Sequence, residues 1–360
     1  MVYEVPLKDL RPQGYSSATC PSCVFYDKCG GLHNHRPLMN CFDQFCCENG
    51  TCDHVCPYKP ADFQMRMREI GGLRFDDIRP LYQTSISLPS YIPMIHHASR
   101  RSKQLNTDTI ALDPYKIFGQ REGHYKSLAD DGETLRRTFK LNPNSKIILR
   151  GTAMDPFLEN YWSFRKIDDV AGQIAALGIS LFIGPNYSQF LDVPRTDCIY
   201  NRKRQLLCLA ELSEKGVSVA PHLSATMPPD WTFWENFLCS NENIQHVAIN
   251  FQTGNKNRKE GLKVIDRIRK LQNTVGRQIS LIPIGGTQFI DVIAQYFESF
   301  ALIDSEPFFK SISRKLFKPC GNKRDWESTW TLKNQTIDHI LQANIDSYTK
   351  WVLDRKASTR

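Results

Sequence analysis

Eight short apolar runs, separated by segments of helical pattern, constrain the fold of this 360-residue chain more than any other feature of its sequence. The later runs are almost continuously apolar, as parallel strands buried on both faces must be. Glycines follow three of the helical segments, where the C-terminus of a helix favours them. The predicted strands are residues 91–95, 109–112, 146–149, 180–183, 217–220, 246–249, 279–284 and 300–303, and the predicted helices are residues 168–177, 202–215, 231–238, 259–271 and 287–297.

This alternation of strands and helices predicts a parallel α/β fold, and eight strands fit a TIM-like (β/α)8 barrel. A doubly wound open sheet is the alternative. We expect the barrel to occupy residues 61–320, after a cysteine-rich metal-binding module over residues 1–60. Apolar side chains at helical spacing between Ile337 and Val352 predict a helix within the tail, residues 321–360, packed on the barrel exterior.

Eight of the twelve cysteines lie in one short segment near the N-terminus. The first residues do not resemble a secretory signal, so we expect a reducing, cytoplasmic location in which disulfides do not persist. Clustered thiolates repel one another unless a cation neutralises them, which predicts a structural metal site. Zinc ions or a [4Fe–4S] cluster would fit, with disulfides as the third alternative, and no organic cofactor is implied. The predicted ligands are Cys20, Cys23, Cys29, Cys41, Cys46, Cys47, Cys52 and Cys56.

Charge is distributed unevenly along the chain. The formal net charge is +8, yet residues 1–60 hold five Lys/Arg and six Asp/Glu, so the other 300 residues carry a net +9. A basic body of this kind fits a polyanionic partner, nucleic acid first. No run of about 18 apolar residues occurs, so a membrane span is not expected.

Polar or glycine residues follow nearly every predicted strand, and the chemistry of a TIM barrel takes place at those strand ends. His96, His97 and Asp113 are among them. Carboxamides can read a base edge, aromatic rings can stack on it, and glycines let a planar group or phosphate approach the backbone. The candidate substrate-binding residues are Arg150, Asn186, Tyr187, Ser188, His222, Asn250, Gln252, Gly285 and Gly286, and the candidate phosphate contacts are Arg100, Arg101, Lys103, Arg202 and Arg314.

Asp304 is the candidate catalytic residue, because it ends the apolar run 300–303. A carboxylate that projects from the last strand into a barrel mouth can stabilise or capture the positively charged sugar formed during glycosidic cleavage. A cap of the following helix, or a salt bridge to Arg314, would be the purely structural alternative. The motifs of P-loop ATPases, α/β-hydrolases and zincins are absent from the sequence.

Three segments, IPIGG (residues 282–286), FIDVIA (289–294) and FALID (300–304), resemble the closing region of tRNA-guanine transglycosylases. The resemblance covers roughly residues 84–318 and implies that Asp304 is the nucleophile and Arg314 the arginine that follows it. The segment PNYSQF (185–190) looks like a degenerate form of the family's base-recognition segment, with Asn186 in place of an aspartate. Residues 186–204 are also similar to a little-characterised bacterial and phage family related to that barrel.

The resemblance implies cleavage of the N-glycosidic bond of a nucleotide within a polymer, with DNA favoured over RNA. Asn186 replaces the acid that would read guanine, which favours a DNA glycosylase that excises a modified base, as in phage defence. A base-exchanging transglycosylase is the first alternative. A non-catalytic nucleic-acid-binding zinc protein and an iron–sulfur redox enzyme are the others. The family's zinc site lies near its C-terminus, whereas the cysteines here precede the barrel, so that site does not transfer.

Overall fold

Eight parallel strands form one curved sheet at the centre of the molecule. A computed structural model describes residues 54–56, 60–190, 193–321, 323–332 and 334–359. The sheet strands are β1 (Tyr91–Ile95), β2 (Thr109–Leu112), β5 (Lys146–Arg150), β6 (Leu181–Ile183), β7 (Val219–Ala220), β8 (His246–Asn250), β9 (Ser280–Ile284) and β10 (Leu302–Asp304). Their order is β7-β6-β5-β2-β1-β10-β9-β8. Two antiparallel hairpins lie outside this sheet and consist of β3 (Phe118–Arg121) with β4 (His124–Ser127), and β11 (Lys315–Phe317) with β12 (Trp326–Ser328). All eight predicted strands are confirmed.

The sheet closes on itself between β7 and β8. A parallel bridge joins His222 to Ala248 near the carboxyl ends of these strands. At the amino ends of β7 and β8, the side-chain carboxamide of Gln83 bridges the two strands in place of direct pairing. Its Nε2 donates to the carbonyls of Val219 (2.7 Å) and His246 (3.1 Å), and its Oε1 accepts from the amide of His246 (2.8 Å). The fold is therefore a nearly closed barrel and not an open doubly wound sheet.

Helices surround this barrel. They are α1 (Pro60–Ile70), α2 (Gly132–Phe139), α3 (Asp155–Phe164), α4 (Val170–Ala176), α5 (Arg195–Glu214), α6 (Pro228–Ser240), α7 (Arg258–Val275), α8 (Ile290–Tyr296), α9 (Glu306–Ile312) and α10 (Asp338–Ser358). The five predicted helices correspond to α4–α8, although α5 begins at Arg195 rather than at residue 202. Gly178, Gly216 and Gly276 have φ values of 57°, 76° and 71°, which confirms their predicted role at helix ends. Among the described residues, no helix combines the length and apolar character needed to span a bilayer.

The core has two apolar layers, one inside the barrel and one between the sheet and the surrounding helices. Alternate strand residues fill the interior, Met94, Ala111, Ile148 and Ile303 among them, while their neighbours, such as Leu302, pack against the helices. Side chains of a strand point alternately to its two faces. The residue two positions beyond each interior side chain therefore faces the barrel mouth, and the residue one position beyond faces outward.

The tail helix α10 packs along the barrel exterior, as the sequence predicts. Near its start, Asp338 Oδ2 accepts from the amide of Ser102 (2.8 Å), in the loop that follows β1. Near its end, Lys356 Nζ donates to Ser90 Oγ (3.0 Å), directly before β1. The helix therefore spans the barrel wall from one end to the other.

Candidate active site

Three side chains that follow interior residues of β1, β2 and β5 meet at the barrel mouth. Arg150 Nη2 donates to Asp113 Oδ2 (2.8 Å), and Arg150 Nη1 donates to Gln252 Oε1 (3.1 Å). The Nδ1 atom of His96 lies 3.7 Å from Asp113 Oδ2. In the described part of the chain, Asp113 Oδ1, Arg150 Nε and His96 Nε2 are buried without a hydrogen-bond partner. Polar groups gathered at a strand end with atoms left unpaired are typical of a ligand site.

Burial tunes the ionisation of this cluster. It raises the pKa of Asp113 above its usual range, and the attraction of Arg150 offsets that effect only in part. Burial lowers the pKa of His96 to about 4, and repulsion from Arg150 lowers it further. At neutral pH His96 is therefore uncharged, and Asp113 is a stronger base than an exposed carboxylate.

A cavity of about 300 Å³ opens at the same mouth, between the loops that follow β6, β7 and β8. Asp113 and Arg150 are not among its lining residues, but Gln252, which accepts from Arg150, lies two positions after the lining residue Asn250. His222 lines it and is the mouth-facing residue of its strand. The side chain of His222 is 5% exposed, and both of its ring nitrogens lack a hydrogen-bond partner within the described residues. Burial lowers the pKa of His222 to about 4, so the ring is uncharged at neutral pH. The predicted residues Asn186, Tyr187, Ser188, His222 and Asn250 all line this one cavity.

The two carboxamides at this cavity are held by their oxygens. Asn186 Oδ1 accepts from the amide of Ala153 (3.0 Å), and Asn250 Oδ1 accepts from the amide of Gln252 (2.8 Å). Their Nδ2 groups are consequently the donors that remain for a bound molecule. Ser188 Oγ donates to Asp155 Oδ1 (2.9 Å), which anchors the loop after β6 to the start of α3.

Tyr187 does not present its ring to the cavity as a stacking surface. The guanidinium of Arg204 lies 4.0 Å from its ring centroid, its hydroxyl lies 3.5 Å from the carbonyl oxygen of Leu158, and the residue is buried. The prediction that Tyr187 stacks on a base is therefore wrong. Phe190, in the same loop, is 53% exposed and lines the cavity.

The space beside Gly285 and Gly286 is filled by the protein. Both glycines have positive φ (68° and 79°), and a Cβ on either would lie 2.7 Å from an atom of the loop after β8. The atoms are Gln252 Cγ at Gly285 and Phe251 Cβ at Gly286. The expectation that these glycines admit a ligand is wrong. They allow the loop that carries Gln252 to approach β9.

Asp304 lies outside the mouth. It follows the interior residue Ile303 by one position, so its side chain faces outward. Its Oδ2 accepts hydrogen bonds from Thr287 Oγ1 (2.7 Å) and from the hydroxyl of Tyr348 (2.9 Å) on α10, and its Oδ1 accepts from the amide of Glu306 (2.9 Å). The prediction of a nucleophile that projects into the barrel is therefore wrong. This carboxylate caps the start of α9 and ties the tail helix to the barrel.

Two of the predicted phosphate contacts are buried. Arg202 forms an ion pair with Asp230 inside the protein, and its side chain is almost completely inaccessible. Arg101 is also buried, and it donates to the carbonyls of Phe139 (2.8 Å) and Lys140 (2.7 Å). The predictions for both arginines are wrong, because their charges are satisfied within the fold.

The other predicted phosphate contacts differ among themselves. Arg314 donates to the carbonyls of Thr336 (3.2 Å) and Gln335, so it holds the segment before α10 and does not pair with Asp304. Arg100 and Lys103 are exposed, and their proposed contact with nucleic acid stays a prediction.

The end of the cysteine segment packs beside the cavity loop. The amide of Val55 donates to Asp197 Oδ1 (3.1 Å), and its carbonyl accepts from Thr196 Oγ1 (2.5 Å), both in the first turn of α5. Cys56 is buried next to them. The other seven predicted ligands lie outside the described residues, and within those residues no three His, Cys, Asp or Glu side chains group into a metal site. Metal binding by the module stays a prediction.

Comparison with known proteins leaves the family open. No protein-family model matches the chain, and no curated protein matches it. The tryptophan synthase subunit alpha from Campylobacter jejuni is similar in structure, with a TM-score of 0.39, 9% identity, and coverage of 73% of this chain and 100% of that one. A protein assigned as a sugar phosphate isomerase/epimerase from Anabaena variabilis has a TM-score of 0.31, 12% identity, and coverage of 59% and 77%. Likenesses this low carry no inference about chemistry.

Proposed function

We propose that the chain is an enzyme that hydrolyses the N-glycosidic bond of a nucleotide, with Asp113 as its catalytic carboxylate. The observation that supports this most is the layer of mouth-facing side chains with unpaired atoms, next to a cavity of about 300 Å³. Cavities of roughly 300 Å³ are at the small end of ligand sites and fit a single base better than a larger cofactor. The sequence resemblance directs the choice of bond.

In this proposal the base occupies the cavity between the loops after β6 and β8. The Nδ2 donors of Asn186 and Asn250 bind its edge, and the exposed ring of Phe190 stacks on its face. His222, uncharged at neutral pH, both accepts from and donates to the base without adding charge. Buried polar groups that lack partners discriminate strongly, because the wrong base would leave them unpaired.

Asp113 acts as the general base. It removes a proton from a water molecule whose oxygen bonds to C1′, while the C1′–N bond breaks and its electron pair leaves with the base. The proton then passes to the departing base, and an abasic sugar remains. A raised pKa increases the basicity of Asp113, and Arg150 fixes its orientation.

Release of free base from oligonucleotides tests the proposal. Purified protein is incubated with DNA and RNA that carry plain or modified bases, and mass spectrometry detects free base and abasic product. We expect release from at least one substrate, and a decrease of about 10²–10⁴-fold in Asp113→Asn. Asp108→Asn, an exposed carboxylate just before the same strand, is the matched control and should retain activity.

The outcomes separate the alternatives. Release that requires a second, added base would identify exchange in place of hydrolysis. Absence of release from every substrate, or undiminished release by Asp113→Asn, would contradict the proposed function.

A further inference from the structure

Three exposed aromatic rings stand around the barrel mouth. Tyr115 is 38% exposed and lies two positions after Asp113, and Phe190 is 53% exposed on the cavity wall. Phe309 of α9 is 49% exposed, and its ring centroid lies 4.8 Å from that of His96. Large aromatic side chains left in water at a site mouth indicate a contact surface, because burying them on binding is favourable.

The rings lie on opposite sides of the mouth. Phe190 follows β6 and Phe309 follows β10, and these strands are four positions apart in the eight-stranded order. In a closed barrel of eight strands, four positions correspond to half the circumference. Tyr115 follows β2, which lies between them. A chain that leaves the cavity and crosses the mouth would therefore meet one aromatic ring at the cavity wall and two more on the far side.

Cations occupy loops at the same end of the barrel. Arg100 and Lys116 follow β1 and β2, and Lys256 and Arg258 follow β8. Within the described residues none of the four forms an ion pair with a carboxylate, and Lys116 Nζ lies 4.5 Å from the ring centroid of Tyr115. Burial lowers the pKa of His97, and repulsion from Lys116 and Arg100 lowers it further, so these charges act at the mouth.

Arg258 occupies an unfavourable position for the stability of its own helix. It is the first residue of α7, followed by Lys259, and a helix N-terminus carries partial positive charge that favours acidic side chains. Two adjacent cations there are unfavourable for the helix, although Glu260 in the same turn offsets part of that cost, and both side chains are exposed, as contact with an anion requires.

Resting on the function proposed above, we propose that the substrate is an unpaired strand of nucleic acid that crosses the mouth. The target base stacks on Phe190 in the cavity, and the bases next to it stack on Tyr115 and Phe309, while their phosphates contact the cations. Stacking on aromatic side chains needs bases with free faces, which a single strand offers and a duplex does not. A positive groove interleaved with aromatic rings is the arrangement that binds single strands with little sequence preference.

Binding measured by fluorescence anisotropy tests this without any need for turnover. Full-length Asp113→Asn protein is titrated into a labelled single-stranded oligonucleotide and into its duplex. We expect the single strand to bind at least about tenfold more tightly. The slope of log K against log salt should be about −3 for four phosphate contacts, and Lys256→Ala should reduce it by about 0.7.

Aromatic variants sharpen the test. Tyr115→Ala and Phe309→Ala should each weaken single-strand binding about 5–150-fold, since stacking on one ring contributes about 1–3 kcal/mol per base. Tyr82→Ala is the matched control. Tyr82 is 44% exposed, and its carbonyl accepts from the amide of Val219 at the amino end of β7, away from the mouth. This variant should bind as tightly as the parent protein.

Two results would overturn the inference. One is duplex binding as tight as single-strand binding, and the other is single-strand binding unaffected by the mouth aromatics in variants that retain their melting temperature. Base release from duplex alone would keep the proposed function and reject the single-stranded substrate. Tight single-strand binding without any base release would do the reverse.

Discussion

Asp113 and Asp304 stand at the ends of two strands of the same barrel, with only β1 between those strands, yet their surroundings differ in kind. Asp113 faces the mouth beside Arg150, and its Oδ1 is buried with no side-chain or backbone donor assigned to it among the residues that the structure describes. Asp304 faces outward, and both of its oxygens accept hydrogen bonds. One step in the alternation of side chains thus separates a carboxylate available for chemistry from one that organises the fold.

The two carboxylates also differ in what they contribute to stability. Burial raises the pKa of Asp113, which means that the folded state disfavours its charged form. At neutral pH the charged residue therefore adds little to the free energy of unfolding. A cost of this kind is typical of functional groups. Asp304 instead accepts hydrogen bonds from three donors, two of them on elements distant in sequence. Each hydrogen bond to a charged acceptor contributes up to about 3 kcal/mol to the free energy of unfolding.

The largest expected effect is on catalysis at the mouth. Asp113→Asn should reduce base release about 10²–10⁴-fold while the free energy of unfolding changes by no more than about 1 kcal/mol, because the amide keeps the shape and removes a disfavoured charge. Base release and urea unfolding on the same preparation would measure both. A variant that loses stability in proportion to activity would remove the distinction between the two carboxylates.

Asp304→Ala should show the opposite pattern. Loss of its three hydrogen bonds leaves Tyr348 and Thr287 without their acceptor, and we expect the free energy of unfolding to fall by about 2–4 kcal/mol. Base release per folded molecule should stay within about threefold of the parent protein. Near-complete loss of activity in a variant that melts normally would return the catalytic role to Asp304.

The pH dependence of stability should report the buried histidine of the mouth. Burial lowers the pKa of His222 to about 4. The ring titrates near 6.5 in the unfolded chain, which therefore binds more protons between pH 6.5 and 4. The free energy of unfolding should thus fall as the pH falls through this window, by about 1 kcal/mol per pH unit for this residue. His222→Asn should flatten the slope by that amount.

The smallest expected effect comes from removing one donor of the outward carboxylate, a hydroxyl whose other contacts, with Thr287 (3.3 Å) and Arg324 (3.5 Å), are longer. Tyr348→Phe removes the hydroxyl that donates to Asp304 and keeps the ring, whose centroid lies 4.9 Å from that of Tyr91. We expect a loss of about 1 kcal/mol in the free energy of unfolding and unchanged base release. Thermal unfolding beside the Asp304→Ala protein would measure it. A loss as large as that of Asp304→Ala would mean that the tyrosine acts through more than this bond.

The barrel itself was predictable from the sequence, because parallel strands buried on both faces have few alternatives to continuous apolar runs. For the same reason, the sequence does not show which side chains of a strand point into the barrel and which point toward the helices. The run before Asp304 is apolar throughout, so it carries no polar alternation to show which side chains enter the barrel. Ala301 was the available signal, since small residues such as Ala111, Ala220 and Ala248 also fill the narrow interior. Counting from Ala301 in steps of two reaches residue 303 and then 305, and passes over Asp304.

The burial of Arg202 and Arg204 could not be predicted from the sequence, for a different reason. The run Arg202-Lys203-Arg204 has the composition of a solvated surface, and its partners are distant in sequence. Arg202 pairs with Asp230, and Arg204 pairs with Glu159. Local composition cannot show that charges are paired within the fold, so only the tertiary structure separates these side chains from the exposed cations of the mouth.

A structure of Asp113→Asn bound to an oligonucleotide, with the target base in a non-cleavable C-nucleoside linkage, tests the central claim most directly. We expect the base within the cavity lined by Asn186, His222 and Asn250, with the anomeric carbon about 3–4 Å from the side chain of residue 113. A base bound against Asp304 and Tyr348, with that cavity left empty, would contradict it.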